Sequence, residues 1–134
     1  MELKIFDILK LHEQLSYCTN VGLGPTSFVL YLELRILIEQ LILKRGNSLK
    51  ILMNSYGIQK PVPILDGNGK VHQIKWEYAE HEKVNEIVEK LNAINNQVVK
   101  LNPANFIPSE EFHVFTAKLP MDVVLALSKI LMKK

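Results

Sequence analysis

The segment Asp66-Gly-Asn68-Gly-Lys70 comes nearest in this chain to a metal-binding motif. It has the opening of a calcium loop, which also needs an oxygen ligand at its fifth position and a glutamate at its twelfth. Counted from Asp66, these positions hold Lys70 and Glu77. Because a lysine stands at a ligand position, the sequence favours a tight turn over a calcium site.

A second candidate is the glycine-containing segment Gly22-Leu-Gly-Pro-Thr-Ser27, which precedes an apolar run. Backbone N–H groups at the start of a helix can hold an anion. The lysine of a P-loop is absent, however, and no apolar strand clearly leads into the segment. We therefore interpret it as a loop, followed by a hydroxyl N-cap at Thr26 or Ser27.

The chain has four histidines and one cysteine, Cys18. A zinc site needs three or four ligands, and Cys18 with His12 does not make such a set. The same pair lacks an orienting group that would make a nucleophile and its base. We interpret Cys18 as a buried or half-buried thiol, which suits a reducing compartment. The sequence thus predicts a protein that is not an enzyme and has no metal or cofactor.

Size and charge narrow the class of protein further. The chain has 134 residues, of which 48% are hydrophobic and 22% charged, with a net charge of +2. These values predict a single globular domain over residues 1–134, and the small charge disfavours binding to nucleic acid. The first ten residues lack the basic region and long apolar core of a signal peptide, so we expect a cytoplasmic protein.

The most apolar stretch is Thr26 to Tyr56, which predicts a long central helix. Apolar residues cover more than half of its circumference, so several neighbours or a second copy must cover it. A membrane span is disfavoured, because the run from Phe28 to Leu43 is shorter than about 20 residues and contains three charges. Gly46 leaves open whether this stretch is one helix or two, and Tyr56-Gly57 predicts its end.

The remaining patterns predict an α+β fold with a helical N-terminal half, a small antiparallel sheet and a closing C-terminal helix. We expect the sheet to combine a hairpin over 61–76 with two short strands. The predicted elements are a first helix over Met1 to Tyr17, the hairpin, a third helix over Tyr78 to Gln97, strands near 98–101 and 112–116, and a helix after Pro120.

Four short motifs follow one another along the chain: the Tyr56-Gly57 stop, the Asp66–Lys70 turn, KVNEIVEKLN at 83–92 and VVKLN at 98–102. These motifs and the order of elements resemble a family of small uncharacterised phage and prophage proteins of siphophage type. The resemblance covers roughly Ser27 to Lys134 and implies a phage-associated origin and a non-enzymatic role. It transfers no functional residue.

Apolar surface without recognisable chemistry predicts a protein that acts by binding another protein, of the phage or its host, as an assembly accessory or an inhibitor of a host system. Self-association through the Phe28 to Leu43 helix is a related hypothesis. The candidate partner surface comprises Phe28, Tyr31, Leu32, Trp76 and Tyr78.

The alternative function is nucleic-acid binding by a basic C-terminal helix. Its candidate contacts are Lys118, Lys129, Lys133 and Lys134.

Overall fold

The structure is a computed structural model that describes residues 1–56, 61–65, 71–76 and 84–134. Over these residues the fold is α+β and mainly helical, which confirms the predicted class. The elements are β1 (Glu2–Lys4), α1 (Ile5–Ser16), α2 (Pro25–Ser55), β2 (Pro61–Leu65), β3 (Val71–Trp76), α3 (Val84–Asn95), β4 (Val98–Lys100), α4 (Ser109–Phe115) and α5 (Met121–Leu131).

The chain divides into two compact units. Unit 1 comprises Met1–Leu43 and Asn95–Lys134, and unit 2 comprises Lys44–Ile94. The single domain over residues 1–134 stays a prediction. None of the described helices is both long enough and apolar enough to cross a membrane.

The core of unit 1 is formed by one face of each of four helices. On α1, the buried residues follow a three- and four-residue spacing, which places them on one side of the helix. Side chains from α2, α4 and α5 complete the cluster. Its most enclosed members are Ile8, Leu11, Leu15, Leu34, Ile38, Leu101, Ile107, Phe112, Leu127 and Leu131.

A two-stranded antiparallel sheet joins the beginning of unit 1 to its second segment. β1 pairs with β4, with Glu2 opposite Lys100 and Lys4 opposite Val98. The predicted first helix is therefore wrong at its start, since it begins at Ile5. The strand near 98–101 is confirmed, but its predicted place beside the hairpin is wrong. Both strands alternate in exposure, so the central residue of each packs against the core.

Residues 112–116 were predicted to be a strand, and this is wrong because they lie largely within α4. Phe112 and Phe115 are both buried. In a strand, residues three apart point to opposite faces, whereas in a helix they share one face. A single buried face for both rings therefore favours the helix.

The central stretch is one helix, α2, which resolves the question that Gly46 left open. The helix begins at Pro25, so the predicted cap at Thr26 or Ser27 is wrong. Proline suits the first turn, where a backbone N–H would have no helical partner. The N–H of Phe28 donates to the carbonyl of Gly24 at 2.9 Å. The helix ends at Ser55, and Gly57 lies outside the described residues.

Unit 2 contains the predicted hairpin, in which β2 pairs antiparallel with β3. Its turn, 66–70, lies outside the described residues. The third helix, expected over Tyr78 to Gln97, is described from Val84 to Asn95 as α3, and 77–83 lie outside the described part.

A polar contact in unit 2 joins the end of α2 to α3. The Tyr56 hydroxyl donates to Glu86 Oε1 at 2.6 Å and accepts from Lys90 Nζ at 2.7 Å. The hydrogen bond to Tyr56 is the main cause that raises the pKa of Lys90, and the hydrogen bond and charge of Glu86 contribute less.

Unit 1 closes with α5, which follows Pro120 as predicted. The loop before α4 holds the end of α5 through Asn105, whose Nδ2 donates to the carbonyls of Lys129 and Met132 at 2.9 and 3.0 Å. Asn105 has a positive φ of 53°, a conformation that asparagine tolerates better than most residues. This loop therefore fixes the end of α5, after which Lys133 and Lys134 follow.

Candidate protein-interaction surface

One face of α2 within unit 1, here called the inner face, belongs to the core. Its members recur at helical spacing and are all buried. Tyr31 has 6% of its surface exposed, and Leu34 and Ile38 have none. The ring of Tyr31 packs edge-on against Phe115, with centroids 5.5 Å apart at 72°. The inner face comprises Ser27, Tyr31, Leu34 and Ile38.

Arg35 links α2 to the end of α1 through hydrogen bonds. Its Nη1 donates to the carbonyl of Leu15 at 2.9 Å and to the hydroxyl of Tyr31 at 3.2 Å. The guanidinium also lies 6.0 Å from the centre of the Tyr31 ring. Hydrogen bonds from a charged donor are stronger than neutral ones, so Arg35 helps to fix the position of α2.

Two titratable groups near Arg35 are held in their neutral forms. Burial raises the pKa of the Cys18 thiol, although the charge of Arg35 lowers it in part. Burial likewise raises the pKa of Tyr31, against the hydrogen bond and charge of Arg35. Since the thiolate is the reactive form of cysteine, this environment suppresses nucleophilic chemistry at Cys18.

The opposite side of α2 carries an exposed apolar row, here called the outer stripe, which consists of Val29, Leu32, Ile36 and Leu43. These side chains are between 44% and 66% exposed. At 3.6 residues per turn they fall within an arc of about 60° and extend for about 21 Å along the helix. The outer stripe is thus a narrow, straight apolar surface on a helix that the core holds in place.

Acidic side chains border the outer stripe on both sides. By helical geometry, Glu33 lies just beyond Val29 on one edge, and Glu39 lies just beyond Leu32 on the other. Both glutamates are exposed. Arg35 is the single basic residue of α2 up to Leu43, and its guanidinium is directed to Leu15 and Tyr31. Lys44, which directly follows Leu43, is exposed and basic, so the border is negative along residues 29–39 and not at its C-terminal end.

The structure separates the residues of the predicted partner surface. Leu32 belongs to the outer stripe, and Phe28 is half-buried beside it. Tyr31 requires a correction, because it lies in the core and presents little surface to a partner. Trp76 ends β3, and Tyr78 lies outside the described residues.

Sequence reasoning missed Val29, Ile36 and Leu43 as surface residues because it combined every apolar residue of α2 into one wide stripe. A signal was present. Projected on a helical wheel, these residues and Leu32 form an arc opposite Leu34 and Ile38, with a glutamate on each side. Two separate apolar arcs on one helix indicate two different partners for that helix.

The four lysines of the alternative function are all exposed. Lys118 lines a depression with Tyr17 and Thr19, whereas Lys129 lines a different one with Glu2 and Asp7. Lys133 and Lys134 follow the end of α5. Lys10 lines the same depression and offsets one of the two carboxylates. The four lysines are thus divided among separate places, whereas binding of nucleic acid usually needs a broad basic surface.

The depression beside Cys18 has a volume of about 380 Å³, within the range of small-molecule sites. Val21 and Val114 form part of its apolar wall. Gly22 allows the adjoining loop to approach α4 closely, because a Cβ at this position would lie 2.6 Å from a methyl carbon of Val114. The φ of Gly22 is +89°, which also favours glycine. Within the described part of the chain, no three His, Cys, Asp or Glu side chains form a metal-binding group.

The chain matches no protein family model, no curated protein and no solved structure.

Proposed function

We propose that this protein is a phage- or prophage-encoded protein that acts by binding another protein, as an assembly accessory or an inhibitor of a host system, and not as an enzyme. The observation that carries the proposal is the outer stripe. Single exposed apolar residues are common on protein surfaces, but an ordered row on a fixed helix is typical of an interaction site.

A binding function is also supported by the state of two reactive or charged groups in unit 1, because both are engaged in the fold and neither is available for catalysis. Cys18 is held as a thiol by burial, and Arg35 is engaged in fixing the core. The phage origin is supported by the resemblance of the hairpin turn, the 83–92 motif and the 98–102 motif to siphophage-type proteins.

A capture experiment with matched variants tests the function. The purified chain is immobilised, exposed to extract from host cells, and its bound proteins are identified by mass spectrometry. Ile36→Gln removes the centre of the outer stripe, and Leu125→Gln on α5 is the control, because Ile36 and Leu125 are 55% and 57% exposed. Circular dichroism confirms that both variants fold.

We expect the wild-type chain and Leu125→Gln to retain the same bound protein and Ile36→Gln to lose it. Equal retention by all three proteins would contradict the assignment of the outer stripe. No specifically bound protein in either phage-infected or uninfected cells, for the wild-type chain, would contradict the proposed function.

A further inference from the structure

We propose that the outer stripe binds an amphipathic helix whose apolar row is bordered by lysine or arginine side chains. This inference rests on the proposed function and specifies the chemistry of the partner. It follows from the shape of the surface and from the charge beside it.

The shape favours a helix as the partner. The members of the outer stripe are separated by three, four and seven residues, the spacing by which one helix packs along another. A straight row about 21 Å long corresponds to about four turns. An extended strand would need exposed backbone groups to pair with, and α2 uses its backbone groups within the helix.

The charge favours a basic partner. Glu33 and Glu39 stand on opposite edges of the outer stripe and are exposed. Lysine or arginine residues beside the partner's apolar row would meet these carboxylates at the rim, where complementary charge governs partner choice and association rate.

The same charges disfavour a second copy of this chain. An antiparallel pair of α2 helices centred on Ile36 would place Val29 level with Leu43 of the second copy, which joins apolar residues. The two-fold axis would also keep each edge of the outer stripe on its own side, so that Glu33 faces Glu33 of the second copy along one edge and Glu39 faces Glu39 along the other. Like charges at those positions oppose self-association, whereas a basic helix would remove the repulsion.

The size of the surface sets the strength that we expect. One helix laid along about four turns buries less than the roughly 1,200 Å² of a standard interface. We therefore expect a micromolar complex that weakens as salt screens its rim charges.

Two synthetic peptides test the inference. Both are fluorescein-labelled amphipathic helices of about four turns with leucine along one face, bordered by lysine in one peptide and by glutamate in the other. Fluorescence anisotropy measures their binding to the wild-type chain, Ile36→Gln, Glu33→Gln/Glu39→Gln and the control Leu125→Gln. Sedimentation velocity measures the oligomeric state of the same proteins without peptide.

We expect the lysine peptide to bind the wild-type chain and Leu125→Gln equally, and to bind about tenfold more weakly to Ile36→Gln and about threefold more weakly to the double variant. We expect the glutamate peptide to bind at least about tenfold more weakly than the lysine peptide. Equal binding of both peptides, or binding unchanged in Ile36→Gln, would overturn the inference.

A dimer of the wild-type chain that disappears in Ile36→Gln would also overturn it, because the occupant would then be a second copy. These outcomes are separate from the proposed function. If the lysine peptide fails but Ile36→Gln still loses the captured cellular protein, the outer stripe remains an interaction site and only the chemistry of the partner is wrong.

Discussion

The two faces of α2 within unit 1 are similar in sequence and opposite in environment. Leu34 and Ile38 on the inner face are fully buried, whereas Leu32 and Ile36 on the outer stripe are about half exposed. Each pair consists of one leucine and one isoleucine, four residues apart. Residue type therefore does not decide which face becomes core. The inner face is buried because α1, α4 and α5 cover that side of the helix.

The largest difference that we expect between the faces is in stability. Leu34→Ala should lower the free energy of unfolding by about 3 kcal/mol, because it leaves a cavity in a closed core. Leu32→Ala should change it by less than about 0.5 kcal/mol. Urea unfolding followed by circular dichroism measures both values, and equal losses would show that α2 is covered on both sides.

Two glycines that differ in the space around a Cβ, Gly22 and Gly46, give a second comparison. Gly22→Ala should lower the free energy of unfolding by about 2 kcal/mol, because its φ of +89° and the contact with Val114 both exclude a Cβ. A midpoint of urea unfolding equal to that of the wild-type chain would show that the loop can move away from α4.

Arg35 tests the contribution of polar contacts on the inner face. Arg35→Met keeps the aliphatic stem and removes the hydrogen bonds to Leu15 and Tyr31. The carbonyl of Leu15 still accepts the N–H of Cys18 at 3.1 Å, so we expect a loss of only about 1.5 kcal/mol. The exposed Glu33→Gln is the control and should change thermal stability little; a similar loss in both variants would contradict the role of Arg35.

Gly46 is the open counterpart of Gly22, since no atom of the described residues lies within 4 Å of a Cβ built there. Gly46→Ala should raise the free energy of unfolding by up to about 1 kcal/mol, because alanine favours helix and nothing obstructs its methyl group. A melting temperature below that of the wild-type chain would indicate that the helix needs flexibility at this point.

The smallest effect concerns pH. The pKa of Cys18 is raised in the folded protein above its ordinary value of 9.0, so the folded state binds the proton more tightly. The resulting stabilisation is complete below about pH 9 and is lost as pH rises through the folded pKa. Between about pH 8 and about pH 10, Cys18→Ala should therefore lose less stability than the wild-type chain. A steeper loss in the variant would contradict this sign.

Local patterns predicted the elements whose partners are close in sequence. The hairpin, α5 and the long α2 all follow from spacing and turn residues within a short window. The interval between Phe112 and Phe115 also contained the information that α4 is a helix, but the alternation around His113 and Val114 outweighed it. A window of six residues is too short to separate the two periods.

Long-range pairing could not be read from the sequence. β1 has three residues, and its pairing with β4 joins Glu2 to Lys100, which is far away in the sequence. No local pattern specifies that match, so residues 1–4 were attributed to the first helix. The burial of Tyr31 could not be predicted for the same reason. It depends on Arg35, Phe115 and the end of α1, which only the fold brings together.

The pairing of β1 with β4 also has a consequence for synthesis of the chain. Unit 2 is a continuous run of sequence, whereas unit 1 needs both Met1–Leu43 and Asn95–Lys134. On a ribosome, the hairpin and α3 emerge before α4 and α5 do. We therefore expect α1 and α2 to lack their final neighbours during synthesis, which leaves Leu34 and Ile38 uncovered until α4 and α5 have emerged.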